Sequence, residues 1–287
     1  IDCNILQQSK IELINSTPGL MCWQGGETFN DVVGLAGIHS YIDDLIHGEI
    51  PVQLVIWIDE VEKAMAGASG DTSGISQDFM GTLLSHLVNS EAMALLLFGQ
   101  PGTGKSLVAK ATGSLAQCLT IQFDLGGIKN SLVGESEARL RRALAIEQAI
   151  SSKGHTLWLM TCNGVSNLPS ELRSRFDQEF FYDFPTNQSQ QAMWQYYIEK
   201  YGLTDPVPQI QPNWTGREIA RCCKQAWQLH KSVEHAMSRI IPVAVSGHEA
   251  ALNRRKEAHL RYLDAQQIGV YKMPGESDTG RMVTFNN

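Results

Sequence analysis

The sequence predicts an α/β fold: a parallel sheet flanked by helices, followed by a small all-helical region. Three observations carry this. Apolar runs of strand length recur at 54–58, 92–98, 119–125 and 156–161, and such runs suit strands buried on both faces. Helical stretches lie between them, and parallel neighbours need such crossovers. At 99–106 (GQPGTGKS) a glycine-rich loop joins one apolar run to the helical stretch 107–115.

That loop is the most informative stretch. Gly99, Gly104, Lys105 and Ser106 stand at the diagnostic positions of a phosphate-binding loop, and a strand before it with a helix after it is the context the chemistry requires. Glycines let backbone N–H groups close around phosphate oxygens, and the helix N-terminus adds positive potential. Pro101, Gly102, Thr103 and Leu107 complete the cradle. In this pattern Lys105 reaches the β- and γ-phosphates and Ser106 ligates Mg²⁺.

Residues 52–60 (VQLVIWIDE) are the second signal. A buried strand ends there in Asp59-Glu60. Strand ends are often polar, so two acids mean little alone. Beside a phosphate loop they read as a Mg²⁺-holding Asp59, partly through water, and a Glu60 that polarises the attacking water.

The chain in order begins ambiguously. Residues 1–28, with turn signals at Pro18-Gly19 and Gly25-Gly26, read as a linker or the remnant of an upstream region. A helix is expected to about His47 after 29–35 (FNDVVGL). Residues 65–74 read as a small polar loop, and Ile75, Phe79, Met80, Leu83, Leu84 and Leu87 recur at helical spacing. A helix with apolar Leu140, Ala143, Leu144, Ile146 and Ile150 precedes the strand 156–161, which ends in Cys162-Asn163; Asn there can orient a water, and it is also a common turn residue. A short helix at 168–177 carries Arg173 and Arg175, and a last strand is expected at 179–184. From Thr186 the pattern is wholly helical. Thr215-Gly216-Arg217-Glu218 is a capping box. Residues 247–267 read as a charged amphipathic helix with Leu252, Leu260 and Leu263, and 273–287 as frayed.

Bulk properties narrow the classes. The 287 residues are 43% hydrophobic and carry a net charge of −7, from 23 basic and 30 acidic residues. That argues against a broad nucleic-acid-coating surface. The local run Arg254-Arg255-Lys256 is either a basic patch or a solvated helix face. No apolar run approaches the length of a membrane span. The six cysteines form no CxxC pair, which suits a reducing, cytoplasmic setting. The chain opens at Ile1, so it is uninformative about a leader.

Together, GQPGTGKS at 99–106, VIWIDE at 55–60, LVGESEARLR at 132–141, MTCN at 160–163, LPSELRSRFD at 168–177 and WTGREI at 214–219 make the chain resemble an AAA-type ATPase of the AAA+ superfamily. The resemblance spans roughly 29–242. It implies ATP and Mg²⁺ as ligands, a nucleotide-binding α/β domain at 29–185, a helical lid at 186–270 and a tail at 271–287. It implies a homo-oligomeric ring, usually a hexamer, that remodels a protein; a nucleic-acid motor or an ATP-gated scaffold with little turnover are alternatives. Asn163 corresponds to sensor 1, Arg173 and Arg175 to trans-acting arginine fingers, and Gly216-Arg217 to the lid contact with nucleotide. The entry Asp31-Val32-Val33-Gly34-Leu35 resembles the segment that lines the adenine pocket, with Val33-Gly34 as its nucleotide contacts, and Leu132-Val133-Gly134 falls at the central-pore loop.

Three departures from the family stand out. The Walker B strand (52–58) precedes the phosphate loop, where the family places it after. Moving that strand to the front keeps each strand in its place if the connections reroute, giving a five-stranded sheet in chain order 5-2-4-1-3. The pore position holds Leu132 in place of the usual aromatic. The segment between Arg173 and Arg175 is short, so both remain candidate fingers.

Overall fold

The computed structural model describes residues 3–65, 75–90, 92–129, 135–151 and 155–275. Among these, seven strands form one sheet: β1 (Leu20–Trp23), β2 (Val52–Ile58), β3 (Met93–Gly99), β4 (Leu119–Phe123), β5 (His155–Cys162), β6 (Gln178–Tyr182) and β7 (Leu263–Asp264). Their order is β1-β4-β2-β5-β3-β6-β7. β1 lies antiparallel on β4, and every other pair is parallel. Read from β6, the inner strands run β6-β3-β5-β2-β4.

The helices follow in chain order. Before and between the first strands come α1 (Cys3–Asn15), α2 (Ala36–Ile46), α3 (Val61–Met65), α4 (Ile75–Asn89), α5 (Lys105–Ala116), α6 (Leu125–Lys129), α7 (Glu135–Ile150) and α8 (Ser170–Arg173). After β6 come α9 (Asn187–Lys200), α10 (Gly216–Leu229), α11 (Val233–Met237), α12 (Val243–Ser246) and α13 (His248–Ala258).

Successive strand residues face opposite sides, so each inner strand supplies two cores. Leu54, Ile56, Leu96, Phe98, Trp158 and Met160 pack with Val61, Phe79, Leu83 and Leu140 of α3, α4 and α7. Val55, Trp57, Leu95, Leu97, Leu157 and Leu159 pack with Ile38, Ile42 and Val108 of α2 and α5. Helices cover both faces, which is why these strands read as unbroken apolar runs. A third cluster, with Trp194, Trp214, Ile219 and Cys223, joins α9, α10 and α11. The expected capping box opens α10: Thr215 Oγ1 accepts from Glu218 N, and Glu218 Oε2 accepts from Thr215 N at 2.7 Å.

Several expectations need correction. The sheet has seven strands, not five, because both edges are extended. Within the segment 1–28, read from the sequence as a linker or the remnant of an upstream region, α1 and β1 bury Ile14, Leu20 and Cys22 in the main core. β1 has only four residues, two of them buried, and so short an alternation leaves little periodic signal. The helix expected over 247–267 stops at Ala258, and 263–264 pair with β6 instead, so the chain after Thr186 is not wholly helical. Leu260 is exposed there, and burial falls on Tyr262 and Ala265. The helix within 168–177 is one turn, Ser170–Arg173.

The C-terminal return is held closely. Ile38 N donates to Ala265 O and Ala265 N to Phe181 O, both at 3.1 Å. A Cβ on Gly37 would lie 2.3 Å from Asp264 O, so only glycine admits this approach without a shift.

Candidate nucleotide-binding and hydrolysis site

The phosphate loop runs from the end of β3 into the N-terminus of α5. Gly99, Gly102 and Gly104 all have positive φ (145°, 80° and 99°), a conformation that disfavours side-chain-bearing residues. At Gly99 a Cβ would also meet Tyr182 O at 2.2 Å on the adjoining strand. Lys105 Nζ donates to Gly99 O at 2.9 Å and to Gln100 O at 2.7 Å, so its ammonium is folded back into the loop. Burial pushes its pKa down to about 7.

Asp59 and Glu60 follow β2, which is separated from β3 by β5. The gap is closed by side chains. Ser106 Oγ donates to Asp59 Oδ1 at 2.8 Å, and Thr161 Oγ1 donates to the same oxygen at 2.6 Å. Glu60 adopts φ 51°, rare for a residue with a side chain, and its N–H donates to Thr161 Oγ1 at 2.9 Å. Asn163 Nδ2 donates to Glu60 Oε1 at 3.0 Å, while Lys63 pairs with Glu60 Oε2. The Asn163 N–H donates to Glu62 Oε1 at 3.0 Å.

These groups line a cavity of about 230 Å³. One end is apolar, with Val32, Val33, Leu35, Met193 and Tyr197; the other holds the loop residues Pro101, Gly102, Thr103, Gly104, Lys105, Ser106 and Leu107. Asp59, Glu60, Thr161 and Asn163 complete the loop end, and Gly216 and Arg217 close the α10 side. Arg217 N donates to Gly102 O at 3.1 Å, which seats the start of α10 on the loop. Gly34 and Gly99 do not line the cavity; Gly34 instead lets Ser189 approach, where a Cβ would lie at 2.6 Å. Asp31, Val32 and Leu35 belong to the segment 29–35 expected at the adenine pocket, and they line the cavity with Val33; sequence reasoning missed Thr161, Met193 and Tyr197. Thr161 was within the quoted MTCN segment; Met193 and Tyr197 read as ordinary apolar positions of a helix.

Asp31 ties the first wall of the cavity to α9. Its Oδ1 accepts from Tyr196 OH and from Lys200 Nζ (3.0 Å), and its Oδ2 accepts from Thr28 N at 3.0 Å. The Tyr196 hydroxyl, with the Thr28 N–H and the lysine, holds its carboxyl well below the usual carboxylate range.

The remaining expected residues lie elsewhere. Arg173 and Arg175 do not line the cavity. Arg173 Nη2 donates to Tyr262 OH at 2.6 Å, whereas the exposed Arg175 guanidinium makes no hydrogen bond or ion pair among the described residues. Leu132, Val133 and Gly134 lie outside the described residues. Of the run Arg254-Arg255-Lys256, only Lys256 is exposed: Arg254 bonds Asn163 O and Gln100 Oε1, and Arg255 pairs with Asp183 at 2.8 Å.

The residues fit Mg·nucleotide. Asp59 and Ser106 offer the oxygen ligands a hard cation takes, glycines line the loop where backbone must approach phosphate, and an apolar recess of suitable shape adjoins it. Among the described residues no group of three or more His, Cys, Asp and Glu side chains could hold a metal, and no helix is long and apolar enough to cross a membrane.

Comparison with known proteins finds relatives and structures with AAA domains. An AAA domain-containing protein, ycf46, of Pyropia yezoensis is 30% identical over 146 residues, covering 37% of this chain and 30% of that protein. Its namesake in Trieres chinensis is 29% identical over 179 residues, covering 46% and 36%. The chain thus spans about a third of the length of these relatives. The crystal structure of the FIGL-1 AAA domain in complex with ADP superposes with a TM-score of 0.49 at 15% identity, covering 87% of this chain and 96% of that one. From within β3 through α7, residues 95–151 match the family model described as ATPase family associated with various cellular activities (AAA).

Proposed function

We propose that the chain hydrolyses Mg·ATP to ADP and phosphate as an AAA-type ATPase, and that it does so in a homo-oligomeric ring, a hexamer, that remodels a protein partner in the cytoplasm. In this reading 29–185 form the nucleotide-binding domain, 186–270 a lid whose last part returns to the sheet at 263–264, and 271–287 a tail, with the Walker B unit (52–60) placed ahead of the phosphate loop (99–106). The observation that carries it is the 2.8 Å contact of Ser106 Oγ with Asp59 Oδ1, which joins the two motifs despite their order in the chain.

The residues act as follows. Asp59 and Ser106 would hold Mg²⁺, which when bound neutralises charge on the phosphate oxygens. Lys105 turns its ammonium from the carbonyls of Gly99 and Gln100 to the phosphates. Glu60 accepts the proton of the attacking water, and Asn163 fixes the direction of that carboxylate. Val33 and its apolar neighbours take the base, and Arg217 approaches the phosphates from α10. Arg173 and Arg175 are the candidates to reach a neighbouring subunit's site. A nucleic-acid motor gains no support, because Arg254 and Arg255 are engaged within the chain.

The test is phosphate release with Mg·ATP, alongside sedimentation with and without nucleotide. Lys105→Ala is expected to lose turnover. A wild-type chain without turnover, or a Lys105→Ala variant that keeps it, overturns the proposal.

A further inference from the structure

We propose that Arg254, on the C-terminal helix α13, is a positioning residue that ties the phosphate loop to the loop bearing Asn163, making α13 part of the hydrolysis machinery of its own chain. The inference rests on the ATPase reading above.

The geometry is that of a two-pronged bridge. Arg254 Nε donates to Asn163 O at 2.6 Å, and Arg254 Nη1 donates to Gln100 Oε1 at 2.9 Å. The acceptors sit on different loops. β3 and β5 are paired as far as Phe98 and Cys162, and beyond that pair the ladder ends. Arg254 joins the chains where the backbone no longer does, two residues past Phe98 and one past Cys162.

Both acceptors are connected to the reacting groups. Gln100 is buried, and both ends of its amide are engaged by α13, since Gln100 Nε2 also donates to Ala251 O at 3.2 Å. Its backbone carbonyl accepts from Lys105 Nζ and from Thr103 Oγ1, each at 2.7 Å. On the other loop, Asn163 carries the hydrogen bond to Glu60 at 3.0 Å. One guanidinium therefore sets the spacing between the phosphate-binding lysine and the pair that handles water. A planar fork with several donors can serve two acceptors at once, which a lysine ammonium on a flexible stem does poorly.

The helix has its own anchor. Arg255 Nε donates to Asp183 Oδ1 at 2.8 Å and Oδ2 at 2.9 Å, and Tyr271 OH donates to Asp183 Oδ2 at 2.7 Å. Ala251 and Ala258 are buried against the body. Truncating Arg254 therefore removes the bridge and leaves the seat of α13 in place.

The experiment compares wild type, Arg254→Ala and Arg254→Lys in steady-state ATP turnover, in affinity for a fluorescent ATP analogue and in thermal unfolding. Misplacing groups that act in the transition state lowers kcat more than binding, so Arg254→Ala is expected to lose about tenfold or more in kcat, with analogue affinity changed by no more than about threefold. Arg254→Lys keeps the stem and the charge, and so remains readable if the alanine variant does not fold. It is expected to keep the wild-type unfolding temperature and still lose kcat. Wild-type kcat in the lysine variant, or kcat, affinity and unfolding temperature falling together in both, overturns the inference. A wild-type chain with no turnover overturns the ATPase reading and this inference with it; turnover in wild type matched by Arg254→Ala overturns the inference alone.

Discussion

Asn163 Nδ2 donates a 3.0 Å hydrogen bond to Glu60 Oε1, joining the ends of two adjacent strands, β5 and β2. The bond leaves Glu60 with one oxygen aimed by an amide and the other paired with the exposed Lys63. A carboxylate in this position can take a proton from water; an amide cannot. Glu60→Gln is therefore expected to lower kcat by roughly 10²- to 10⁴-fold. Analogue affinity should stay near wild type, because Glu60 contributes no positive charge to phosphate. Turnover surviving in Glu60→Gln would remove Glu60 as the base.

Lys105 sets the pH dependence of nucleotide binding. Burial holds its pKa at about 7, against an ordinary 10.5. Phosphates favour the charged ammonium and raise that value on binding. Between pH 7 and 10.5 the free protein is thus largely neutral at Lys105 and the complex protonated, so binding takes up a proton. Affinity falls as pH rises through this window, by up to about tenfold per unit, and levels off below pH 7. Calorimetric titration with ADP at pH 8, in two buffers of different ionisation enthalpy, reads the uptake directly. A value near one proton is expected, and none would show that Lys105 is already charged before nucleotide arrives.

The strands and loops that build the cavity were legible because each leaves a dense local signal. Val55, Ile56 and Trp57 are buried on a strand covered on both faces, and Gly102 and Gly104 sit where positive φ is required. What escaped depends on chain return. β7 is two residues long, and its place beside β6 rests on Gly37 lacking a Cβ, a fact about a contact and not about a pattern. Arg254 and Arg255 look like any charged helix surface in sequence. Their partners, Asn163, Gln100 and Asp183, lie 91, 154 and 72 positions away, and only the fold reveals them. Tyr197 is similar: helical spacing marks it as half-buried, and nothing local marks the cavity it faces.

The two arginines after β5 are not equivalent. Arg173 is held by the Tyr262 hydroxyl at 2.6 Å, inside its own subunit, while Arg175 projects into solvent. In the ring proposed above, Arg175 is the one available to a neighbour. Arg175→Ala is expected to lower turnover of the assembled protein by about 10³-fold, the scale of an arginine finger. Arg173→Ala should act on stability instead, at about 1 kcal/mol for a lost hydrogen bond. Turnover measured against protein concentration, with denaturant unfolding of both variants, separates the two. Loss of turnover in Arg173→Ala with full activity in Arg175→Ala would reverse the assignment.

Asp31 links the apolar end of the cavity to α9 through Tyr196 and Lys200, and it lines the same cavity as Met193 and Tyr197. The Asp31–Lys200 pair is partly exposed, so its removal should cost at most about 1 kcal/mol of stability. Its effect belongs to binding: Asp31→Asn loosens the wall on which the base rests, and affinity for a fluorescent ADP analogue should weaken by roughly three- to tenfold. The pH dependence gives the discriminating sign. The Asp31 carboxyl is held below the usual range, so its pairing is fully present at neutral pH and is lost only as pH falls past the ordinary carboxylate values. Between pH 6 and 9 it does not titrate, and the slope there comes from Lys105. Asp31→Asn should therefore displace the whole affinity curve by a constant factor and leave its shape unchanged. A variant curve that turns at a different pH would mean that the latch at Asp31 and the ammonium at Lys105 are coupled, and that the two ends of the cavity do not act independently.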